Sequence, residues 1–192
     1  MTIPPVVCFM LTSCCSLPPI NDNVESRWTE PMWHTDHEHI NFVTCCNFGI
    51  CPTAGMQTLH FNNKRNGGGE AYVVFDQEAI PGRYIITLDV GNPNNHPFAK
   101  EMDIGLTTGG IQGVSKGTPV IPDKSERPEP APGKTVEWRE IVTIRSGDVR
   151  KGDRLGFYIH VPPKRTDGNV LVDNLKIIRR MSGLNCQRIP PQ

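Results

Sequence analysis

The chain has 192 residues, with 20 Lys and Arg balanced by 20 Asp and Glu. Its formal charge is therefore zero, and no bulk positive field draws it to nucleic acid or to an anionic membrane surface. Eighteen glycines and eighteen prolines exceed the usual share and favour turns and long loops over a helix bundle.

No run of about 18 apolar residues is present to make a transmembrane helix. The phosphate-cradling Gly loop, GxSxG and HExxH motifs are also missing.

Residues 1–22 read as a leader or a disordered tail. Val6-Val7-Cys8-Phe9-Met10-Leu11 is a short apolar run, and Leu11-Thr12-Ser13-Cys14 resembles a bacterial lipobox. That resemblance implies export, a lipid anchor at Cys14 and an extracellular or cell-surface location. On the other side, no Lys or Arg precedes Arg27, whereas a secretory leader opens with positive charge.

Cys8, Cys14 and Cys15 fall in this segment, which leaves Cys45, Cys46, Cys51 and Cys186. An even number is compatible with two disulfides. A bond between the adjacent Cys45 and Cys46 would be strained, so one of them would join Cys51 and the other Cys186. Reduced thiols and a thiolate metal site are the alternatives.

The domain proper is expected over residues 23–180, followed by a tail at 181–192. Near its start stands His34-Thr35-Asp36-His37-Glu38-His39, three of the six histidines within six residues. Imidazoles are favoured zinc ligands, which makes His34, His37 and His39 a secondary metal candidate. In an extended segment, however, His37 and His39 face opposite to His34. The spacing matches no catalytic motif, and no downstream cluster completes a shell. A polar loop is the expected reading, and zinc is not expected.

From about residue 57 the apolar pattern has period two. Gly82–Val90 puts Tyr84, Ile86, Leu88 and Val90 on one face. Arg154–Val161 does the same with Leu155, Phe157, Ile159 and Val161. Gln57–Phe61, Glu70–Asp76, Lys100–Thr107, Thr135–Arg145 and Asn169–Arg179 are further candidates. Alternation of β-branched and aromatic residues, bounded by Gly, Pro and Asn, is the signature of strands. Residues 108–134 form a long Gly- and Pro-rich insert, of a length that is usually functional or disordered. Its Glu-Arg-Pro-Glu-Pro-Ala-Pro portion cannot donate a regular ladder and should be an extended, solvated excursion. The expected fold is all-β, a two-sheet antiparallel sandwich or jelly roll with seven or eight strands.

The order of features then carries a resemblance. Leu59-His60-Phe61 and Glu70–Gln77 precede Pro81-Gly82-Arg83-Tyr84-Ile85-Ile86-Thr87-Leu88. Val136-Glu137-Trp138-Arg139-Glu140-Ile141 follows, and the domain closes on Val170-Leu171-Val172-Asp173-Asn174-Leu175. This is similar to the galactose-binding-like jelly rolls of secreted bacterial proteins, which include many carbohydrate-binding modules. The resemblance implies a glycan ligand and a structural calcium ion held by the terminal-strand Asp173 and an N-terminal Glu, best matched by Glu25. Read from the residues alone, Asp173 lies in an apolar strand and needs a partner, which backbone N–H groups could equally supply.

Candidate ligand contacts are aromatic, because a pyranose ring presents an apolar C–H face. Tyr158 and His160 alternate with core positions, as does Tyr72, and Trp28 and Trp33 lie in the N-terminal loop segment. Trp138 shares parity with Val142 and Ile144 and belongs to the core. Carboxylates such as Asp89, Asp103, Glu137 and Glu140 fit solvated strand faces better than a glycosidase pair. The expected function is a non-catalytic, exported module that binds a polysaccharide or glycan. A cell-surface structural or assembly protein is the alternative, and a metal-dependent hydrolase on the histidines ranks below both.

Overall fold

Alternation along the chain becomes two stacked sheets. The structure, a computed structural model, describes residues 19–22, 33–35, 40–44, 50, 53, 57–63, 69–94, 97–162 and 168–180. Eleven strands occur among them. They are β1 (Ile20–Asp22), β2 (Trp33–Thr35), β3 (Ile40–Thr44), β4 (Gln57–Asn63), β5 (Gly69–Glu78), β6 (Gly82–Asn92), β7 (Asp103–Thr108), β8 (Thr118–Val120), β9 (Lys134–Ile144), β10 (Arg154–Val161) and β11 (Gly168–Arg180). The large sheet runs β3-β4-β11-β6-β9 with β1 also on β11, and the small sheet runs β2-β5-β10-β7-β8. Neighbouring strands pair antiparallel throughout. The all-β sandwich expected from the sequence is the fold observed.

The core lies between the inner faces. From the large sheet come Tyr84, Ile86, Leu88 and Val90 of β6, with Trp138, Val142 and Ile144 of β9. The small sheet answers with Val73 and Phe75 of β5 and Leu155, Phe157 and Ile159 of β10. One carboxylate sits among them. Glu140 is 2% exposed, and its Oε1 accepts hydrogen bonds from Trp138 Nε1 (2.7 Å) and Ser125 Oγ (2.6 Å). Those two donors offset the cost of burying it.

Strand β11 changes partners partway. Val170–Val172 pairs with β4, while Leu175–Ile177 pairs with β1. Between them the register against β6 shifts from Asp173 to Lys176, and Asn174 adopts φ 51°. A left-handed Asn at such a shift is a β-bulge, which keeps Leu175 and Ile177 on the core side.

The insert at 108–134 folds back over the small sheet. Gly109, Gly113 and Gly117 all have positive φ. At Gly117 an added Cβ would stand 2.3 Å from the Thr108 carbonyl oxygen, so glycine alone fits there. Strand β8 pairs with β7, and the chain then reaches the other sheet, where Asp123 N donates to Ile141 O at 3.0 Å. Residues 126–132 form no strand and are largely exposed, as their prolines suggest.

Four short strands, β1, β2, β3 and β8, were not anticipated by the alternation. Ile20–Asp22, the end of the 1–22 segment, is one of them and lies along β11.

Candidate functional site

The outer face of the small sheet carries the site. On β10, Tyr158 stands between Tyr72 of β5 and Gly105 of β7, while His160 stands between Glu70 and Asp103. Strict alternation with Phe157 and Ile159 turns both side chains away from the core. The insert arches over this face and closes a groove of about 650 Å³. Tyr158, His160, Glu70 and Asp103 line one side of it, and Pro119, Ile121 and Pro122 supply an aliphatic wall.

Tyr158 is placed differently from a free stacking platform. Gly105 has no Cβ, and the ring lies across it; an added Cβ would be 2.7 Å from the ring. From above, Lys116 Nζ sits 5.4 Å from the ring centroid and forms an ion pair with Glu70. The residue is consequently only 6% exposed. Burial, followed by the nearby Asp103 and Glu70 charges, pushes the phenol above its ordinary pKa, so it remains neutral at physiological pH.

His160 is the more open neighbour, with 41% of its side chain exposed and Nδ1 4.0 Å from Asp103 Oδ2. Asp103 also accepts from Arg127 Nη2 at 2.6 Å. Both groove carboxylates thus stand beside a cation.

Tyr72 and His34 continue the same face toward the sheet edge, their rings 5.1 Å apart and inclined by 30°. Burial lowers the pKa of His34, and its Nε2 is buried without a hydrogen-bond partner, which favours the neutral ring.

Trp33 requires a correction. It was expected as a ligand contact, yet it is 2% exposed. Its ring meets Phe157 edge-on at 6.1 Å, and Nε1 donates to Asp22 Oδ1 at 3.2 Å. Its register opposite Val73 turns it inward, away from the His34 face. Trp138 is buried as expected.

Asp173 was the expected calcium ligand. Its Oδ2 accepts from Thr53 N (2.6 Å) and Thr53 Oγ1 (3.1 Å), and its Oδ1 accepts from Asn174 N (2.7 Å). These donors meet the need of a buried carboxylate for partners, and the other expected calcium ligand, Glu25, lies outside the described residues. No three His, Cys, Asp or Glu side chains gather into a metal cluster among the described residues. Glu25, Trp28, His37, His39, Cys14, Cys45, Cys46, Cys51 and Cys186 lie outside the described residues.

Lys116 was missed, and nothing in its Gly-rich surroundings signals that it crosses the sheet. Glu70 was missed too, though it shares the outward parity of Tyr72 and could have been read from alternation.

No protein-family model matches the chain, and no curated protein matches it either. Solved structures do resemble it. The CBM22-1 xylan-binding domain of Xyn10C from Paenibacillus barcinonensis is 13% identical with a TM-score of 0.50, covering 85% of this chain and 95% of that one. A cleaved adhesin domain of Lys-gingipain from Porphyromonas gingivalis is 10% identical with a TM-score of 0.52, covering 85% and 99%. A cyclase from Fischerella sp. TAU is 13% identical with a TM-score of 0.53, covering 85% and 90%. At these identities the likeness is one of fold: this chain has the two-sheet β-sandwich that those three structures share.

Proposed function

We propose that the protein is a non-catalytic, exported module that binds a neutral polysaccharide or glycan in the groove over β5, β10 and β7. The groove itself carries the reading. It sets the acceptors Glu70 and Asp103 and the donors Lys116, His160 and Tyr158 opposite an aliphatic wall. Sugar hydroxyls both donate and accept, and sugar C–H faces pack on apolar surface, so this mixture suits them. The fold shared with a xylan-binding domain supports the same conclusion, by analogy of architecture. An extracellular or cell-surface location belongs to the proposal, and among the described residues no helix is long and apolar enough to cross a membrane.

The test is a glycan array together with pull-downs on insoluble polysaccharides. Binding should appear and should weaken roughly tenfold or more, a loss of about 1.4 kcal/mol, in Tyr158→Phe and in His160→Ala. Silence across the panel would overturn the reading.

A second reading, a surface assembly protein, is favoured by one observation. Ile111, Val114 and Ile121 on the insert are 58%, 73% and 70% exposed, and exposed aliphatic surface often marks protein contacts. Concentration-dependent self-association without glycan binding, measured by size-exclusion chromatography, would select it.

A further inference from the structure

The groove over the small sheet has a neighbour. On the far side of β8 lies a second cleft of about 730 Å³, walled by the connection between β9 and β10. Pro119, Ile121 and Pro122 line both hollows. The two therefore share the Pro119–Pro122 segment as a dividing wall, on which Ile121 is exposed.

The second cleft presents polar groups in a telling state. Asp148 Oδ2 accepts from Arg145 N (2.7 Å), Asp153 Oδ2 from Arg150 N (2.8 Å), and Asp123 Oδ2 from Thr143 Oγ1 (2.7 Å). Each of these carboxylates, all of which line the cleft, fixes its wall through one oxygen. Arg145 and Arg150, both exposed, line the same cleft, so donors stand beside those acceptors. Three carboxylates against two guanidinium groups leave no excess of positive charge for an anionic ligand. A neutral, hydroxyl-rich ligand satisfies both sets. The aliphatic wall between the clefts suits the C–H face of a sugar ring that bridges them.

We infer that the ligand is a chain of neutral sugars that crosses the Pro119–Pro122 wall and occupies both clefts, rather than one terminal sugar. This rests on the glycan reading above and adds the length of the ligand to it. A short oligomer fills the groove beside Tyr158 and His160. A longer one also reaches Arg145 and Arg150, and the second contact is then intramolecular, which raises affinity without any change in the first.

The experiment uses the full chain and arrays of β-1,4-xylan, β-1,4-galactan, β-glucan and α-mannan fragments, each from one to eight units. Positive hits are followed by calorimetry. Affinity should climb roughly tenfold or more between the shortest fragment that binds and the longest. In the Arg145→Ala/Arg150→Ala double variant the longest fragment should fall to the level the unaltered protein shows for the shortest. A matching melting temperature in that variant would show that the fold is intact. If the variant is unstable, Ile121→Asp on the dividing wall should lower the length dependence in the same way. Equal affinity for short and long fragments would overturn the chain inference and leave the groove reading standing. No binding to any fragment would remove both.

Discussion

The two sheets use their outer faces in opposite ways. On the large sheet, polar groups are turned on one another. His60 Nε2 and Asn169 Oδ1 meet at 2.9 Å, Asp173 holds Thr53, and Asn174 Nδ2 donates to Asp89 Oδ2 at 3.1 Å. On the small sheet, Glu70, Asp103 and His160 line an open groove instead. Both faces follow from the same alternation, so residue type alone does not separate them. The difference lies in what passes overhead. The insert also supplies partners, Lys116 to Glu70 and Arg127 to Asp103, but because it arches rather than lying flat it leaves a hollow beside them.

The comparison can be broken at its strongest point first. Trp33 belongs to the scaffold of the small sheet, so Trp33→Ala should cost about 3–5 kcal/mol, the usual penalty for emptying a buried aromatic site. A urea midpoint close to that of the unaltered protein would return Trp33 to the list of ligand contacts. Next is Asp173→Ala on the large sheet, which leaves the Thr53 amide without its acceptor and should cost about 1–3 kcal/mol. Glycan affinity should be unchanged, and a loss of binding without loss of stability would show that the large sheet takes part in recognition.

Raising the pH tests the groove and the core together. Burial lifts the phenols of Tyr84 and Tyr158 above their ordinary value of 10.0. The folded protein then holds protons that the unfolded chain releases, so stability is fully present below pH 10 and declines as the pH rises toward the folded values. Thermal melts between pH 9 and about 11.5 should show that decline, and Tyr158→Phe should make it shallower. An unaltered slope would contradict the burial of Tyr158 under Lys116. The smallest stability effect is expected from Lys116→Ala, at about 1 kcal/mol or less for a half-buried ion pair and cation–π contact. Glycan affinity should fall by more than that, since Lys116 is one of the groove's donors.

Long strands were legible because each alternates over many residues. Gly82–Val90 and Arg154–Val161 match β6 and β10 closely, and the outward parity of Tyr158 and His160 is observed. The short strands β2 and β8 span three residues each, too few for a period to register. That is why Trp33 reads in sequence as a loop residue, although a single strand register turns it inward. The role of Lys116 was hidden for another reason. Its position depends on three left-handed glycines that fold the insert back on itself, and such long-range placement leaves no periodic trace. Asp173 in an apolar strand reads as needing a partner, but Thr53 is 120 residues away in sequence, and only the folded chain brings it near.

Strand β11 has a further consequence, for the order in which the protein matures. It is the seam of the large sheet, joining β4 and β1 on one side to β6 on the other. During ribosomal synthesis it emerges after the other ten described strands. Until then the two halves of that sheet wait with bare hydrogen-bonding edges, the surfaces from which misassociation starts. Translation arrest or proteolysis ahead of Gly168 should therefore yield sticky fragments rather than a smaller working module.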